Sequence, residues 1–284
     1  MVRKITFTNA NKERIELQST GPYFLTKLEG VAAVRTTVQL NKSPFQDGQT
    51  YLGNTLDVRE ISIEGSIVPG AVTLEERRRT LMRVLNPKLG LGIVRYEDAG
   101  GAKEIRAIAE ESPVFPDKQH GVYQKFLISF LCPDPAFYDP RIQKVNLASF
   151  TGGISFPFSF PISFGRVGQF ITLNNRGDLD APVFITFLGP LKNPVLENKT
   201  TGQMIKLVQE IPEGHRLEIN TAFGQKTVTK IAEDGTRSNA FHWVAPESEF
   251  WGLVPGENEI SYQATEESKF GAVTLEYQPR YLGV

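Results

Sequence analysis

Alternating apolar and polar residues, cut about every ten residues by Gly, Pro, Asn or Asp, fill almost the whole chain and leave room for one helix. A period of two sends successive side chains to opposite faces, so such a chain buries its apolar faces only by packing or closing sheets. Ile5 to Phe7 and Arg14 to Leu17 alternate on either side of Asn9-Ala10-Asn11, a hairpin pattern. A further run follows through Tyr23, Leu25 and Leu28, and Ile93 to Tyr96 and Glu104 to Glu110 flank Gly100-Gly101. Val122 to Leu131 closes this half. From Gln169 onward, strands are expected near Phe170–Leu173, Val183–Leu188, Val195–Asn198, Met204–Val208, Arg216–Ile219, Thr227–Ile231, Asn258–Gln263 and Ala272–Tyr277. Turns at Thr201-Gly202, Pro212-Glu213-Gly214, Glu233-Asp234-Gly235 and Pro255-Gly256 separate several of them, the spacing of an antiparallel β-sandwich or jelly roll.

The helix is expected over Thr73 to Leu85. Thr73 and Glu76 form a capping box, acids follow at Glu75 and Glu76, and bases follow at Arg77, Arg78, Arg79 and Arg83, matching the macrodipole. Leu74, Leu81 and Leu85 share one face, and Pro87 stops the helix. A helix this short needs a sheet beneath it. Arg78 falls among the leucines, where it either snorkels or meets another subunit.

With 284 residues the chain has material for about two domains. Cys132-Pro133-Asp134-Pro135-Ala136-Phe137-Tyr138-Asp139-Pro140 is expected to end regular pairing, since its three prolines cannot donate to a ladder. Residues 1–147 then form the first domain and 165–284 the second. Between them, 148–164 is a Phe/Pro-rich connector whose Phe156, Phe158, Phe160 and Phe164 suit contact with a domain or with another chain. The two halves share no internal repeat.

Val34 to Leu40 and Val58 to Val68 read as two long strands joined by a protruding tip that carries Phe45, Asp47-Gly48 and Tyr51. A two-stranded arm cannot hide both its faces, so a projecting one offers Phe45 and Tyr51 to something else. The alternative is a hairpin folded back on its own sheet.

Residues that carry chemistry do not converge. His120, His215 and His242 are far apart and lack zinc-site spacing, and the single Cys132 excludes an intrachain disulfide. Nucleophile elbows and phosphate-cradling loops are absent. A net charge of -1 gives no electrostatic reason for nucleic acid or an anionic membrane as partner. No apolar run is long enough to span a bilayer, and the basic start reads as a first strand rather than a signal peptide. No cofactor is expected. Sugar stacking on Trp243 or Trp251 is an alternative, although both sit in apolar surroundings that suit core anchoring.

Asn175-Arg176-Gly177-Asp178, Pro182, Gly189-Pro190, Asn193-Pro194, Asn198, Thr200-Thr201-Gly202 and Pro255-Gly256-Glu257-Asn258 together resemble the C-terminal domain of siphophage-type distal tail (Dit) proteins. Ala272 to Tyr277 with Pro279-Arg280-Tyr281-Leu282-Gly283 is similar to that domain's end. The arm, the Ile61-Ser62-Ile63-Glu64-Gly65 strand and the basic helix resemble the family's ring-forming domain. The resemblance implies a mainly β protein. Its N-terminal domain would be β-sandwich or split-barrel-like, with one α-helix and an extended hairpin, and its C-terminal domain a galectin-like jelly-roll sandwich without a working sugar site.

It also implies a non-enzymatic virion component, assembled in the host cytoplasm as a homo-hexameric ring, single or stacked. Such a ring joins the tail tube protein to the tail-associated lysin or tip protein and to receptor-binding or baseplate proteins. A different tail-tip adaptor is the nearest alternative. A ring needs two different patches per subunit. The candidates for subunit contact are Phe45, Asp47, Gly48, Tyr51 and Leu52 on the arm, with Arg77, Arg78 and Arg83 on the helix.

Overall fold

The computed structural model describes residues 3–116, 122–148, 169–264 and 271–284. It divides into two compact units, Met1–Pro140 with Tyr281–Val284, and Arg141–Arg280. Both are built from antiparallel strands, and α1 is the α-helix among the described residues.

The first unit contains β1 (Lys4–Thr8), β2 (Arg14–Leu17), β3 (Tyr23–Glu29), β4 (Thr36–Asn41), β5 (Thr50–Leu56), β6 (Arg59–Ile67), α1 (Leu74–Val84), β7 (Gly92–Asp98), β8 (Gly101–Ala109), β9 (Gln124–Cys132) and β10 (Phe137–Tyr138). The main sheet runs β2-β1-β7-β8-β9-β6-β3. Its two ends meet, because the Gln18 N–H donates to the Tyr23 carbonyl at 3.2 Å and the Leu25 N–H to the Gln18 carbonyl at 3.0 Å. The sheet therefore curls into a barrel and loses its exposed edges. Inward positions supply Ile5, Phe7, Ile63, Val94, Ile105 and Phe130, all buried, with the Phe7 and Phe130 rings 4.9 Å apart.

Helix α1 starts where expected. The Glu76 N–H donates to Thr73 Oγ1 at 3.3 Å and the Thr73 N–H to Glu76 Oε2 at 3.2 Å. Leu81, Val84 and Leu85 are buried and Leu74 is half-buried against the same core. The Asn9 amide donates to the Val84 carbonyl and the Tyr23 hydroxyl to the Arg77 carbonyl, so the strands also hold the helix by its backbone. The Cys132–Pro140 segment does not end all pairing. Between its prolines, Phe137–Tyr138 forms β10, with Tyr138 opposite Glu104 of β8.

The second unit contains β11 (Gln143–Ala148), β12 (Gln169–Asn175), β13 (Ala181–Leu188), β14 (Leu191–Lys192), β15 (Val195–Asn198), β16 (Gln203–Lys206), β17 (Glu210–Ile211), β18 (Arg216–Asn220), β19 (Thr227–Ile231), β20 (Arg237–Asn239), β21 (Gly252–Leu253), β22 (Gly256–Gln263), β23 (Ala272–Tyr277) and the short β24 (Arg280–Tyr281), whose Tyr281 already belongs to the first unit. One sheet runs β11-β23-β13-β18-β19-β20 and the other β12-β22-β15-β16. Val183, Ile185, Phe187, Leu217 and Ile219 of the first sheet form one core with Leu196 and Ile260 of the second.

Strand β11 pairs with β23 from Gln143 opposite Tyr277 to Ala148 opposite Ala272. The sequence reading counts residues 143–147 with the first domain. Their short Lys144-Val145-Asn146-Leu147 alternation completes the second unit's sheet instead. The rest of the Phe/Pro connector lies outside the described residues.

The turn residues that carried the family resemblance act as internal braces. Asn175, Asn198 and Asn258 are buried. The Asn175 amide donates to the carbonyls of Leu179 and Leu253, and its oxygen accepts the Gly177 N–H. The Asn198 amide donates to Asn258 Oδ1 at 3.2 Å, and Asn258 holds both the N–H and the carbonyl of Val254. A side chain at Gly177 would meet the Arg280 carbonyl at 2.3 Å, which accounts for that glycine. Buried amides satisfied in this way fix loop conformation, and they leave no open site.

Candidate assembly surface

The arm consists of β4 and β5, which pair only with each other, from Thr36 opposite Leu56 to Asn41 opposite Thr50. Every residue of β4 is exposed, as are all of β5 except the half-buried Gly53 and Leu56. Val38, Leu40, Tyr51 and Leu52 are thus apolar groups in water, Leu52 with 64% of its surface open. Among the described residues no sheet lies under them, and the arm is not folded back on the barrel.

The tip is a longer loop than Asp47-Gly48 alone suggests. It runs from Lys42 to Gln49, and its turn is Ser43 to Gln46, closed by the Gln46 N–H on the Ser43 carbonyl at 3.2 Å. Asp47 and Gly48 follow that turn, exposed, with Gly48 at φ 75°. Phe45 is fully exposed at 108% and holds φ at 63°, a left-handed conformation costly for a bulky side chain. The run expected over Val58 to Val68 is β6, a barrel strand, and the arm's returning strand is β5, which carries Tyr51. The two part at Asp57-Val58, where β5 leaves the arm and β6 enters the barrel.

The arm leaves the barrel after β3 and returns into the Arg59 end of β6, whereas α1 follows the Ile67 end. A nine-residue strand separates these ends by about 27 Å. One unit therefore carries two dissimilar surfaces at opposite ends of one strand. On α1, Arg78 is half-buried with its guanidinium 4.6 Å from the Phe115 ring centre, and Arg83 pairs with Glu13 at 3.1 Å. Arg77 is half-buried beside the Tyr23 hydroxyl. Each candidate arginine thus has an intrachain neighbour.

The tryptophans are not a pair on one face. Trp251 is 2% exposed, a core residue. Trp243 is only half-buried, in the turn Phe241–Trp243, and Lys230 Nζ covers its ring at 5.2 Å. Its apolar neighbours in sequence suggested fuller burial. The stacking of Phe241 on Phe250, centroids 5.4 Å apart, takes up part of that apolar cover instead.

Cys132 is buried, and burial pushes its thiol up from 9.0 to about 12, with Arg59 acting the other way, so it carries no thiolate near neutrality. His215 and His242 stand in separate loops, and His120 lies outside the described residues. Among the described residues no group of His, Cys, Asp and Glu could hold a metal ion, and no helix is long and apolar enough to cross a membrane. Sequence reasoning missed Arg59, a fully buried cation. Its signal was its phase, since Arg59, Ile61, Ile63 and Ile67 all take the inward register of β6.

Residues 10–132 match the family model described as phage tail protein RIFT-related domain, and residues 176–281 match siphovirus-type tail component, C-terminal domain. The chain belongs to the siphovirus distal tail (Dit) family. Its fold is similar to that of the phage SPP1 Dit protein (gp 19.1), a paradigm of the hub adsorption apparatus in phages infecting Gram-positive hosts. That likeness has TM-score 0.65 and 12% identity, and covers 96% of this chain and 98% of that one. It is also similar to a chain of the phage P2 baseplate in its activated conformation with Ca, at TM-score 0.58 and 12% identity over 100% of both chains. The same baseplate with Sr gives TM-score 0.55 and 11% identity over 99% of both. At such identities the likeness is one of fold. No curated protein matches the chain. As a Dit-family protein it is a structural component of the phage tail and baseplate hub, not an enzyme.

Proposed function

We propose that the chain assembles as a homo-hexameric ring, the hub that joins the tail tube protein to the tail-associated lysin or tip protein and to receptor-binding or baseplate proteins. The first unit makes the ring, and the sandwich of the second unit serves peripheral contacts. The observation that supports this most is the arm, which exposes Val38, Leu40, Phe45, Tyr51 and Leu52 and whose two strands pair only with each other among the described residues.

A closed ring requires a head-to-tail contact between unlike patches. The arm at one end of β6 and the α1 end at the other are such a pair, and the arm's free edges can add to a neighbour's surface by strand pairing. Phe45, Asp47, Gly48, Tyr51 and Leu52 are the arm's contact residues in this reading. Arg77, Arg78 and Arg83 border the receiving end.

Light scattering on the purified protein, with negative-stain imaging, tests the reading. A ring with the mass of six copies is expected from the wild type and a single-copy mass from a chain lacking Lys42 to Gln49. A ring that survives removal of the tip would assign the contact elsewhere.

A further inference from the structure

We propose that Tyr281–Val284 act as a strap which, through the buried guanidinium of Arg59, sets the root of the arm and hence the direction in which the arm is presented. Arg59 is the first residue of β6, immediately after the arm's returning limb, and it is 1% exposed. Its Nη1 donates to the Gly30 carbonyl at 2.7 Å and to the Ala33 carbonyl at 3.1 Å, both on the outgoing limb between β3 and β4. Its Nε donates to the Pro135 carbonyl at 2.7 Å, and its Nη2 to the carbonyl of Leu282 in the strap. Phe137 lies against the guanidinium, 5.0 Å from ring centre to Cζ.

One side chain therefore joins both limbs of the arm to the strap. A guanidinium is a rigid planar fork whose donors cannot be reoriented one at a time. Out of water, each donor needs its acceptor, so a strap that leaves takes one acceptor away and disturbs the others.

The strap makes further contacts at the same place. The Val284 N–H donates to the Val31 carbonyl at 3.2 Å, and Lys103 Nζ sits 3.9 Å from the centre of the Tyr281 ring. Gly283 lies so close to the outgoing limb that a Cβ there would come 2.4 Å from the Ala32 carbonyl oxygen. Gly30 holds φ at 85°, with the Glu60 carbonyl 1.9 Å from where a Cβ would stand, so limb and β6 touch backbone to backbone. The Asp57 N–H donates to the Arg35 carbonyl at 2.9 Å and closes the base. Beyond this base the arm pairs only with itself, so its direction is set at the root.

The test is amide hydrogen exchange on the intact protein, comparing wild type with Gly283→Val and Arg59→Lys. Gly283→Val pushes the strap off Ala32 and keeps the arginine. Exchange in segments 30–36 and 56–60 is expected to rise roughly tenfold or more in both variants, while β1 and β7 stay protected. Wild-type exchange in the root of Gly283→Val overturns the proposal. Loss of protection throughout the barrel in that variant overturns it as well, because the strap would then be a barrel element and not a root clamp. If Arg59→Lys alone fails to fold, Gly283→Val decides. The consequence for assembly rests on the arm's proposed role in the ring. Faster root exchange with an unchanged particle mass would keep the strap and remove the arm from the ring contact.

Discussion

The arm and the sandwich core use the same kinds of side chain to opposite ends. Val38, Leu40, Tyr51 and Leu52 are exposed, whereas Val183, Ile185, Phe187 and Leu217 are buried to within 1%. Both sets lie on paired antiparallel strands. What differs is the layer beneath: β13 and β18 face a second sheet, and β4 and β5 face nothing in the described chain. Apolar groups on such an arm contribute little to the subunit's own stability, because their surface stays in water. The comparison teaches that the same side chains are buried only where a second layer covers them.

The sharpest contrast comes from truncating the core. Trp251→Ala is expected to destabilise the second unit by about 3–5 kcal/mol, because a large buried ring is lost and a cavity remains. Urea unfolding followed by circular dichroism measures it. A cost below about 1 kcal/mol would mean that Trp251 is not a core anchor.

High pH comes next. The thiol of Cys132 holds its proton up to about 12 when folded but ionises near its ordinary 9.0 when unfolded. The unfolded state therefore binds fewer protons in that window, and stability falls by about 1 kcal/mol for each pH unit between them. Cys132→Ser removes this contribution and leaves the like-signed one of the buried tyrosines Tyr23, Tyr96, Tyr262 and Tyr277, and in the wild type a thiol reagent at pH 8 labels only unfolded protein. Rapid labelling of the native protein would contradict the burial.

Thr73→Ala removes the cap of α1 and is expected to cost about 1 kcal/mol, read in the same unfolding experiment. Smallest of all is the effect of Phe45→Ser with Tyr51→Ser and Leu52→Ser. Subunit stability should change by less than about 0.5 kcal/mol, since these side chains are already in water. A larger loss would make the arm a stabilising element of its own subunit and break the contrast.

Much of the fold was legible because its signals are local. The capping box at Thr73 and Glu76 and the alternation in Val195–Asn198 or Thr227–Ile231 depend on neighbours in sequence, and these elements lie where expected. Two-residue strands such as β10 and β14 were not legible, since so short a segment holds no period and is fixed by its partners alone. Strand β11 was not read as a strand at all, and its sheet is set by a partner more than a hundred residues along the chain, from Gln143 opposite Tyr277 to Ala148 opposite Ala272. The arm's apolar residues were visible, yet their exposure was not, as periodicity is blind to whether a second layer exists. Arg59 stood in an inward register, but its four carbonyl partners are 29, 26, 76 and 223 residues away in the chain. No window of sequence contains them.

The most direct measurement is the solution mass of the wild type beside that of the Phe45, Tyr51 and Leu52 triple serine variant, at matched concentration and after circular dichroism has confirmed that both are folded. The account predicts a six-copy ring for the wild type and single copies for the variant. A single copy for the wild type at every concentration, or identical rings from both proteins, would contradict it.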